Sequence, residues 1–430
     1  MRNVLCLLMV LMGTLGLEAQ IRGTNFTVTV TPDHKDWNYK VGEQAVFTVN
    51  VLKSGTLVDN ASISYEMGPE MYPTEKKQMT LKDGTAKIKG GMKNPGFYRL
   101  TVTAHINGKE YRGMCTAAFS PEKIQPTAQC PADFDEFWKT TIGKARETAL
   151  NPTFEFLPER SNNEVKTYHV SFQNDQWGRR VYGILNVPAK AGKYPALLRV
   201  PGAGVRPYTG DQWFASKGVI VLEIGIHGIP VTNEQSYYDQ IFSAALANYW
   251  EHGTNNREQN YYKHVITGCI RSIDFIEQLT TDAQWDGKNL AVTGSSQGGF
   301  LSLATTGLDK RVSCYGAVHA AMCDYEAALS DVACGWPHYF YWDKTNIDKR
   351  QVEQSRYYDG VNFARRITVP GYFSFGYNDD VVPPTTAYGT YNIVKAEKTL
   401  SPYQMTGHYW YQEQWDEWNA FLLKQLGVVE

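Results

Sequence analysis

Apolar and polar residues alternate in short runs through the first quarter of the chain. The clearest of these runs lie at 26–30, 45–49, 61–65, 85–88 and 98–104. Turn-forming pairs such as Asp83-Gly84 and Asn107-Gly108 separate them. Alternation with period two is typical of strands that bury one face. The spacing predicts a small immunoglobulin-like β-sandwich over residues 20–120. Since it shows no cluster of titratable residues, we expect a docking or spacer role, with sugar binding as the alternative.

A different pattern begins near residue 165, where continuous apolar runs alternate with helical stretches. The runs at 165–172 and 180–187 are typical of an antiparallel pair of strands. Further apolar runs lie at 195–200, 219–224, 290–294, 312–318 and 369–375, and the clearest helical stretch lies at 262–279. Continuous apolar strands between helices indicate a parallel sheet that is covered on both faces. The sequence therefore predicts a second, α/β domain over residues 121–430.

The N-terminus has the pattern of an export signal. Arg2 supplies a positive charge, residues 4–15 are apolar, and a small residue, Ala19, precedes a plausible cleavage position. The apolar run is too short to cross a bilayer, and no later segment is apolar enough to do so. We therefore expect residues 1–19 to be a signal peptide and the protein to be secreted or periplasmic.

Composition narrows the range of partners. The chain is 43% hydrophobic and 20% charged, which suits a globular protein, and its formal net charge is -2. A balance so close to neutral gives no reason to expect nucleic acid or an anionic membrane as a partner. The 11 Trp and 27 Tyr residues fit a protein that stacks on sugar rings, but a β-rich fold explains them as well.

Six cysteines follow the predicted signal peptide, and an even number in an exported protein permits disulfides. Cys323 and Cys334 are close enough in sequence to pair. Cys269 and Cys314 lie in apolar patterns and are expected to be buried thiols. The spacing of the six does not match a zinc site.

The strongest chemical signal is the sequence GSSQGG at residues 294–299. It follows an apolar strand and precedes a helical pattern, which is the context of a nucleophile elbow. The strand-to-helix turn is so tight that only small neighbours fit, so the central Ser296 is exposed above the sheet. We therefore predict an α/β-hydrolase fold with Ser296 as its nucleophile.

A serine hydroxyl needs a base, and in α/β hydrolases the chain order is serine, acid, histidine. The loop after the apolar run 369–375 offers two acids, Asp379 and Asp380, of which we favour Asp379. Only His408 lies beyond them, so it is the predicted base. His319 and His338 come too early in the chain for that role, although they could line the pocket.

The tetrahedral intermediate needs two N–H donors for its oxyanion. One should be the backbone amide of Gln297, next to the nucleophile. The other should come from the loop after the run 195–200, where we nominate the amide of Ala203. No motif for a metal or another cofactor is present, so none is expected.

These motifs resemble the acetyl xylan esterase / cephalosporin C deacetylase family, carbohydrate esterase family 7. The resemblance covers roughly residue 131 to the C-terminus. It includes the helix start DFDEFW at 133–138, GSSQGG at 294–299, GYNDDVVPP at 376–384 and Gly407-His408. The family's acid falls on Asp379 and its base on His408. The resemblance implies an α/β hydrolase that removes acetyl groups from esterified sugars, with an acylated carbohydrate as its partner.

Three signatures differ from the family's usual pattern. Residues 201–203 read Pro-Gly-Ala instead of His-Gly-Tyr, residues 227–229 read His-Gly-Ile instead of Arg-Gly-Gln, and Tyr409 replaces a glutamate. The oxyanion role can survive the first change because it belongs to a backbone amide, but the pocket wall loses an aromatic ring. Family members form ring-like oligomers without the added β-sandwich, so a homo-oligomer stays an open question.

Two other functions fit parts of the sequence. A peptidase of the prolyl oligopeptidase type would have the same fold and catalytic order, but it usually carries a larger β-domain. A non-catalytic carbohydrate-binding protein would not need the complete set of Ser296, Asp379 and His408. The sequence therefore favours a secreted serine esterase that hydrolyses short-chain, acetyl-type esters on plant-type glycans through an acyl-enzyme.

Overall fold

The N-terminal part of the protein consists of β-strands. The computed structural model describes residues 24–428, so the predicted signal peptide lies outside the described residues. The strands of this part are β1 (Phe26–Pro32), β2 (Asn38–Tyr39), β3 (Ala45–Lys53), β4 (Thr56–Leu57), β5 (Ala61–Pro69), β6 (Glu75–Leu81), β7 (Thr85–Gly90), β8 (Gly96–Ile106) and β9 (Lys109–Phe119). The five alternating runs of the sequence fall within β1, β3, β5, β7 and β8.

These strands form two sheets that share one core. One sheet has the order β1-β3-β4 with β7 also paired to β3, and the other has the order β2-β9-β8-β5-β6. Alternate residues of β3 and β8, such as Phe47 and Leu100, are fully buried between them. The hydrophobic pattern does not predict strand β6, because six of its seven residues are exposed or only half-buried. We refer to residues 26–119 as the β-sandwich.

The rest of the described chain alternates strands and helices. The strands are β10 (Thr153–Phe156), β11 (Val165–Gln173), β12 (Arg180–Pro188), β13 (Gly192–Arg199), β14 (Ile220–Gly225), β15 (Ala283–Ser295), β16 (Cys314–Val318), β17 (Gly371–Gly376) and β18 (Lys398–Tyr403). The helices are α1 (Phe134–Arg146), α2 (Gln212–Ser216), α3 (Gln235–Phe242), α4 (Tyr261–Glu277), α5 (Gln297–Leu308), α6 (Lys349–Ser355), α7 (Gly360–Ala364), α8 (Pro384–Ile393) and α9 (Gln412–Gln425). Short 3-10 turns lie at Pro121–Lys123, Pro158–Arg160, Tyr249–Glu251, Tyr325–Ser330 and Arg356–Tyr358.

All nine of these strands join one sheet, in the order β10-β11-β12-β14-β13-β15-β16-β17-β18. The strands β10, β11, β12 and β14 are antiparallel neighbours, and the pairs from β14 to β18 are parallel. From β13 the chain moves to β14 on one side and then crosses to β15 on the other. Such a reversal opens a crevice at the carboxyl ends of the strands, which is where open α/β sheets bind ligands.

Helices cover both faces of this sheet because successive strand residues point to opposite faces. On one face, α2 and α9 pack against Leu197, Val221 and Ala291. On the other face, α1, α4 and α5 pack against the residues that follow, including Leu198 and Val292. These strands are buried on both sides, which explains their continuous apolar runs. Among residues 24–428, no helix is long and apolar enough to cross a membrane.

Contrary to one expectation from the sequence, no disulfide joins the cysteines within residues 24–428. All six described cysteines are free thiols, so Cys323 and Cys334 do not pair. The Cys323 thiol donates to the carbonyl oxygen of Ala321 at 3.3 Å, whereas the Cys334 sulfur lies 3.6 Å from Nδ1 of His338. The two side chains therefore contact different neighbours despite their closeness in sequence. Cys269 and Cys314 are buried thiols, as predicted.

Candidate active site

The GSSQGG segment forms a tight turn between β15 and α5. Ser296 has φ 61° and ψ -124°, a backbone conformation that non-glycine residues rarely adopt. Its amide donates to the carbonyl oxygen of Val318 at 2.9 Å. A Cβ atom at Gly294 or Gly298 would lie 2.4 Å from the carbonyl oxygen of Val200, so both positions require glycine. The turn places Ser296 at the carboxyl end of β15, in the crevice.

The predicted acid and base contact each other. Nδ1 of His408 lies 2.8 Å from Oδ2 of Asp379. The other carboxylate oxygen accepts the amides of Val381 and Val382, at 2.9 and 2.8 Å, and the side chain is fully buried. An ionised carboxylate only accepts hydrogen bonds, so Nδ1 of His408 carries the proton. In the neutral form of the ring Nε2 is then the acceptor nitrogen, which is the tautomer that a general base needs.

Ser296 and His408 line the same open cavity, which has a volume of about 890 Å³. In the part of the chain that the structure describes, no hydrogen bond joins their side chains. Catalytic contacts of this kind often tighten only when substrate binds. The two residues come from the carboxyl ends of β15 and β18, so the crevice of the sheet brings them together.

The predicted oxyanion loop, residues 201–204, lies beside the nucleophile. A Cβ atom at Gly202 would be 3.9 Å from the Ser296 Cβ, so the two backbones approach closely. The Arg206 guanidinium donates to the carbonyl oxygens of Gly202 and Ala203, at 2.9 and 2.7 Å. Within residues 24–428, the amide of Ala203 donates to no other residue. It is thus available for a ligand, which is what the predicted role requires.

The Gln297 side chain ties this loop to the elbow, a role that the sequence did not reveal. Its Nε2 donates to the carbonyl oxygen of Pro201 at 3.2 Å. Its Oε1 accepts the hydroxyls of Tyr249 and Tyr262, at 2.7 and 2.8 Å, and the Tyr249 hydroxyl also accepts the amide of Gly204 at 3.2 Å. Since Gln297 is fully buried, this network fixes the loop relative to the start of α5.

Two further histidines, His227, which is half-buried, and His319, which is buried, lie near the site without being its base. Nε2 of His227 lies 3.0 Å from the carbonyl oxygen of Gly204, and burial lowers its pKa to about 4. The His319 ring is centred 5.3 Å from the His408 ring, and burial lowers its pKa to about 4 as well. Both rings are therefore neutral near pH 7. Neither His319 nor His338 lines the cavity, although the sequence left that role open.

Aromatic side chains form much of the cavity wall, and the sequence did not single them out. They are Tyr208, Phe242, Trp250, Trp336, Trp410, Trp415 and Trp418. Their positions come from α3, α9 and several separate loops, so no single motif predicts that they meet. Residues 24–428 contain no group of three or more His, Cys, Asp or Glu residues arranged to hold a metal ion.

Comparison with known proteins shows the family of this chain. A family model described as acetyl xylan esterase (AXE1) matches residues 120–425, which is more than half of the chain. The chain belongs to the acetyl xylan esterase family. Membership makes it a carboxylic ester hydrolase with the α/β-hydrolase fold that the sequence predicted.

Relatives of this acetyl xylan esterase family member fall into two groups by length. The acetyl esterase Axe7A of Xylanibacter ruminicola is 40% identical over 374 residues, covering 85% of this chain and 83% of its own. The structure of the acetyl xylan esterase from Paenibacillus sp. R4 has a TM-score of 0.61 and 25% identity, covering 71% of this chain and 98% of its own. A second structure, acetyl xylan esterase 1 from Thermoanaerobacterium sp. JW/SL YS485, has a TM-score of 0.59 and 22% identity, and the match covers 71% of this chain and 97% of that one. This likeness shows the fold alone. The match to Axe7A spans 374 residues, which is more than residues 120–430 contain, so it extends into the β-sandwich.

Proposed function

We propose that this chain is an exported esterase that removes acetyl groups from xylan-type glycans, with Ser296, Asp379 and His408 as its catalytic triad. The observation that carries the proposal is the 2.8 Å hydrogen bond between Asp379 and His408, at the cavity that Ser296 also lines. The strained Ser296 backbone and the loop at 201–204 support the same assignment.

The reaction would proceed through an acyl-enzyme. The Ser296 oxygen attacks the acetyl carbonyl carbon while Nε2 of His408 takes the hydroxyl proton, and Asp379 stabilises the resulting imidazolium. The amides of Gln297 and Ala203 donate to the oxyanion. Collapse of the intermediate breaks the bond to the sugar oxygen, which takes the proton from His408. Water, deprotonated by the same histidine, then attacks the acetyl-serine and releases acetate.

The cavity wall suits a carbohydrate substrate. Aromatic faces carry negative charge density, so the C–H groups of a sugar ring pack well against them. Trp250, Trp336 and Trp410 are each only partly buried and so present ring surface to the cavity. Arg206 is exposed beside the oxyanion loop and lines the same space, where it can donate to sugar hydroxyls. An acetylated oligosaccharide can thus place its ester at Ser296 and its rings against the wall.

Export is the part of the proposal that depends on the sequence alone. The charged, apolar and small residues in positions 1–19 have the order of a signal peptide. Such a location suits an enzyme whose substrates are polymers outside the cell. Expression of the full chain in a secreting bacterial host, followed by N-terminal sequencing, checks it. A mature protein that still begins at Met1 would contradict export by this route.

The test of the catalytic assignment uses a short-chain ester and a natural type of substrate. We expect the parent to release nitrophenol from 4-nitrophenyl acetate and acetate from acetylated xylo-oligosaccharides. In Ser296→Ala the rate should fall at least about a thousandfold, whereas the neighbouring Ser295→Ala should lose less than about tenfold. Mass spectrometry of the parent, quenched early, should show one added acetyl group on Ser296.

Three outcomes would reject the proposal. Equal rates for Ser296→Ala and the parent would remove the nucleophile assignment. Release of dipeptides from a peptide library, without acetate from acetylated xylan, would favour a peptidase. Binding of xylan without turnover of any ester would favour a carbohydrate-binding protein.

A further inference from the structure

The loop that carries the proposed acid is held by the β-sandwich. We call residues 377–385 the acid loop. Arg99, on β8 of the β-sandwich, donates to the carbonyl oxygen of Asp379 at 2.7 Å and to that of Tyr377 at 3.2 Å. These bonds join positions nearly three hundred residues apart in sequence. The residue that orients His408 is thus fixed by another part of the chain.

Arg99 is itself held in place by a buried partner. Its guanidinium lies 3.3 Å from the carboxylate of Glu70, which directly follows β5, and its Nε donates to Thr116 at 2.8 Å. The Glu70 carboxylate also accepts the amide of Thr385 at 2.9 Å. The pair therefore bonds to the acid loop both near its start, through Arg99, and at its end, through Glu70.

Burying the Glu70–Arg99 pair costs free energy unless both side chains are well hydrogen-bonded. The Glu70 side chain is 1% exposed and that of Arg99 11% exposed. Two charges withdrawn from water are stable only where good geometry and further hydrogen bonds compensate for their lost hydration. Here both charges have such partners, and three of those partners belong to the acid loop. An interface that only joined two domains could be apolar throughout.

Aromatic packing completes the contact. The Phe97 ring of the β-sandwich lies 5.0 Å from the Tyr377 ring and 5.7 Å from the Tyr388 ring. The Tyr377 hydroxyl donates to Asn38 at 3.1 Å. Phe375 and Ala387 belong to the same buried cluster as the interior of the β-sandwich. The core of the β-sandwich thus continues into β17, which precedes the acid loop, and into α8, whose first residues form the end of that loop.

We propose that Glu70 and Arg99 are positioning residues for the Asp379–His408 pair, so that the β-sandwich is an integral part of the catalytic machinery. This inference rests on the proposed function. Arg99 donates to the backbone carbonyl oxygen of Asp379 itself, and so fixes the position of the carboxylate relative to Nδ1 of His408. A displacement of about 1 Å at a catalytic group can reduce the rate about a hundredfold.

The experiment compares full-length variants that differ at the buried pair. Arg99→Met removes the donors but keeps the aliphatic stem, Arg99→Lys keeps the charge with fewer donors, and Glu70→Gln keeps an acceptor for the Thr385 amide. Arg112→Met is the matched control, because Arg112 also lies on the β-sandwich and pairs with Asp380 at 3.7 Å, but is more than half exposed. Each variant is assayed on 4-nitrophenyl acetate for kcat and KM.

We expect kcat of Arg99→Met to fall between about tenfold and a hundredfold with KM unchanged within about twofold. Arg99→Lys should recover part of this loss, Glu70→Gln should lose less than Arg99→Met, and Arg112→Met should match the parent. A second readout is the far-downfield proton resonance of a histidine Nδ1–H bonded to a carboxylate, assigned by its absence in His408→Gln. That resonance should be weakened or lost in Arg99→Met and retained in Arg112→Met.

A kcat of Arg99→Met equal to that of the parent would overturn the inference. So would an Arg99→Met protein that melts at a lower temperature but keeps the downfield resonance, because Arg99 would then only stabilise the fold. If Arg99→Met does not fold, Arg99→Lys and Glu70→Gln decide by the same two readouts. The parent and Ser296→Ala separate this inference from the proposed function. An inactive parent, or an active Ser296→Ala, rejects the proposed function. An active parent with an inactive Ser296→Ala leaves the Arg99 result to bear on positioning alone.

Discussion

Asp379 and Asp380 are neighbours in sequence with opposite surroundings. Asp379 is fully buried and its carboxylate meets His408 and two backbone amides. Asp380 is about half exposed and faces Arg112 at the surface. The chain order of an α/β hydrolase predicts an acid at this loop. It does not decide between adjacent residues, because that choice depends on the path of the loop after β17.

Replacing each of these acids by its amide should separate their roles. Asp379→Asn is expected to reduce kcat about 10³- to 10⁴-fold, because the amide would favour the wrong tautomer of His408. Asp380→Asn should stay within about threefold of the parent, since an exposed ion pair contributes little. Steady-state rates on 4-nitrophenyl acetate measure both. A larger loss in Asp380→Asn than in Asp379→Asn would reverse the assignment.

At the scale of elements, the elbow was the most predictable part of the site. Its conformation depends on residues that are contiguous in sequence, so GSSQGG between a strand and a helix is enough to predict the tight turn at Ser296. The oxyanion loop was less predictable. Its conformation depends on Tyr249 and His227, which lie on different loops and carry no motif. Local patterns in the sequence predict the strands and helices. The hydrogen bonds between loops cannot be predicted in this way, because they join residues that only the fold brings together.

The close approach of α5 to β13 gives an element-scale prediction. In Gly298→Ala the new Cβ would meet the carbonyl oxygen of Val200 at 2.4 Å, so the elbow must shift. We expect the free energy of unfolding to fall by at least about 2 kcal/mol, with a large loss of activity. Gly143→Ala is the control, because a Cβ at this helical position meets no atom within 4 Å and alanine favours the helix by about 0.5–1 kcal/mol. Urea denaturation measures both, and equal effects would contradict the packing.

At the scale of the whole molecule, half-buried and buried titratable groups make the free energy of unfolding change with pH in opposite directions. Burial lowers the pKa of His264 to about 3 and that of His319 to about 4. Because an unfolded histidine has a pKa near 6.5, their contribution is complete above that value and is lost as pH falls. Burial also raises the pKa of Asp359 to about 7. Its contribution is complete below the ordinary pKa of an aspartate and is lost as pH rises toward 7.

His264→Gln isolates one of these contributions. Between pH 7 and pH 5 the parent loses the benefit of a neutral His264, whereas glutamine does not titrate. The drop in the free energy of unfolding over this range should therefore be smaller in the variant, by on the order of 1–2 kcal/mol. His252→Gln changes an exposed histidine and should parallel the parent. Urea unfolding curves at several pH values give the comparison, and parallel curves for His264→Gln would refute the burial argument.

The relation between the two halves was the least predictable feature. The alternating runs predicted most strands of the β-sandwich, and the apolar runs predicted the central strands of the large sheet. Nothing local, however, marks Glu70 and Arg99 as partners of a loop that follows β17. A docking or spacer role was therefore the natural expectation, and the contacts with Asp379 and Thr385 lead instead to the positioning role proposed above.

The continuous core has a practical consequence for protein engineering. The matched family region begins at residue 120, which makes it a tempting boundary for a minimal catalyst. Trimming there would strip the cover from Phe375, Tyr377 and Tyr388, which pack against the missing strands. The shortened enzyme would expose an apolar aromatic surface to water and would be prone to aggregate. A minimal version would first need polar residues on that face and a new anchor for Asp379.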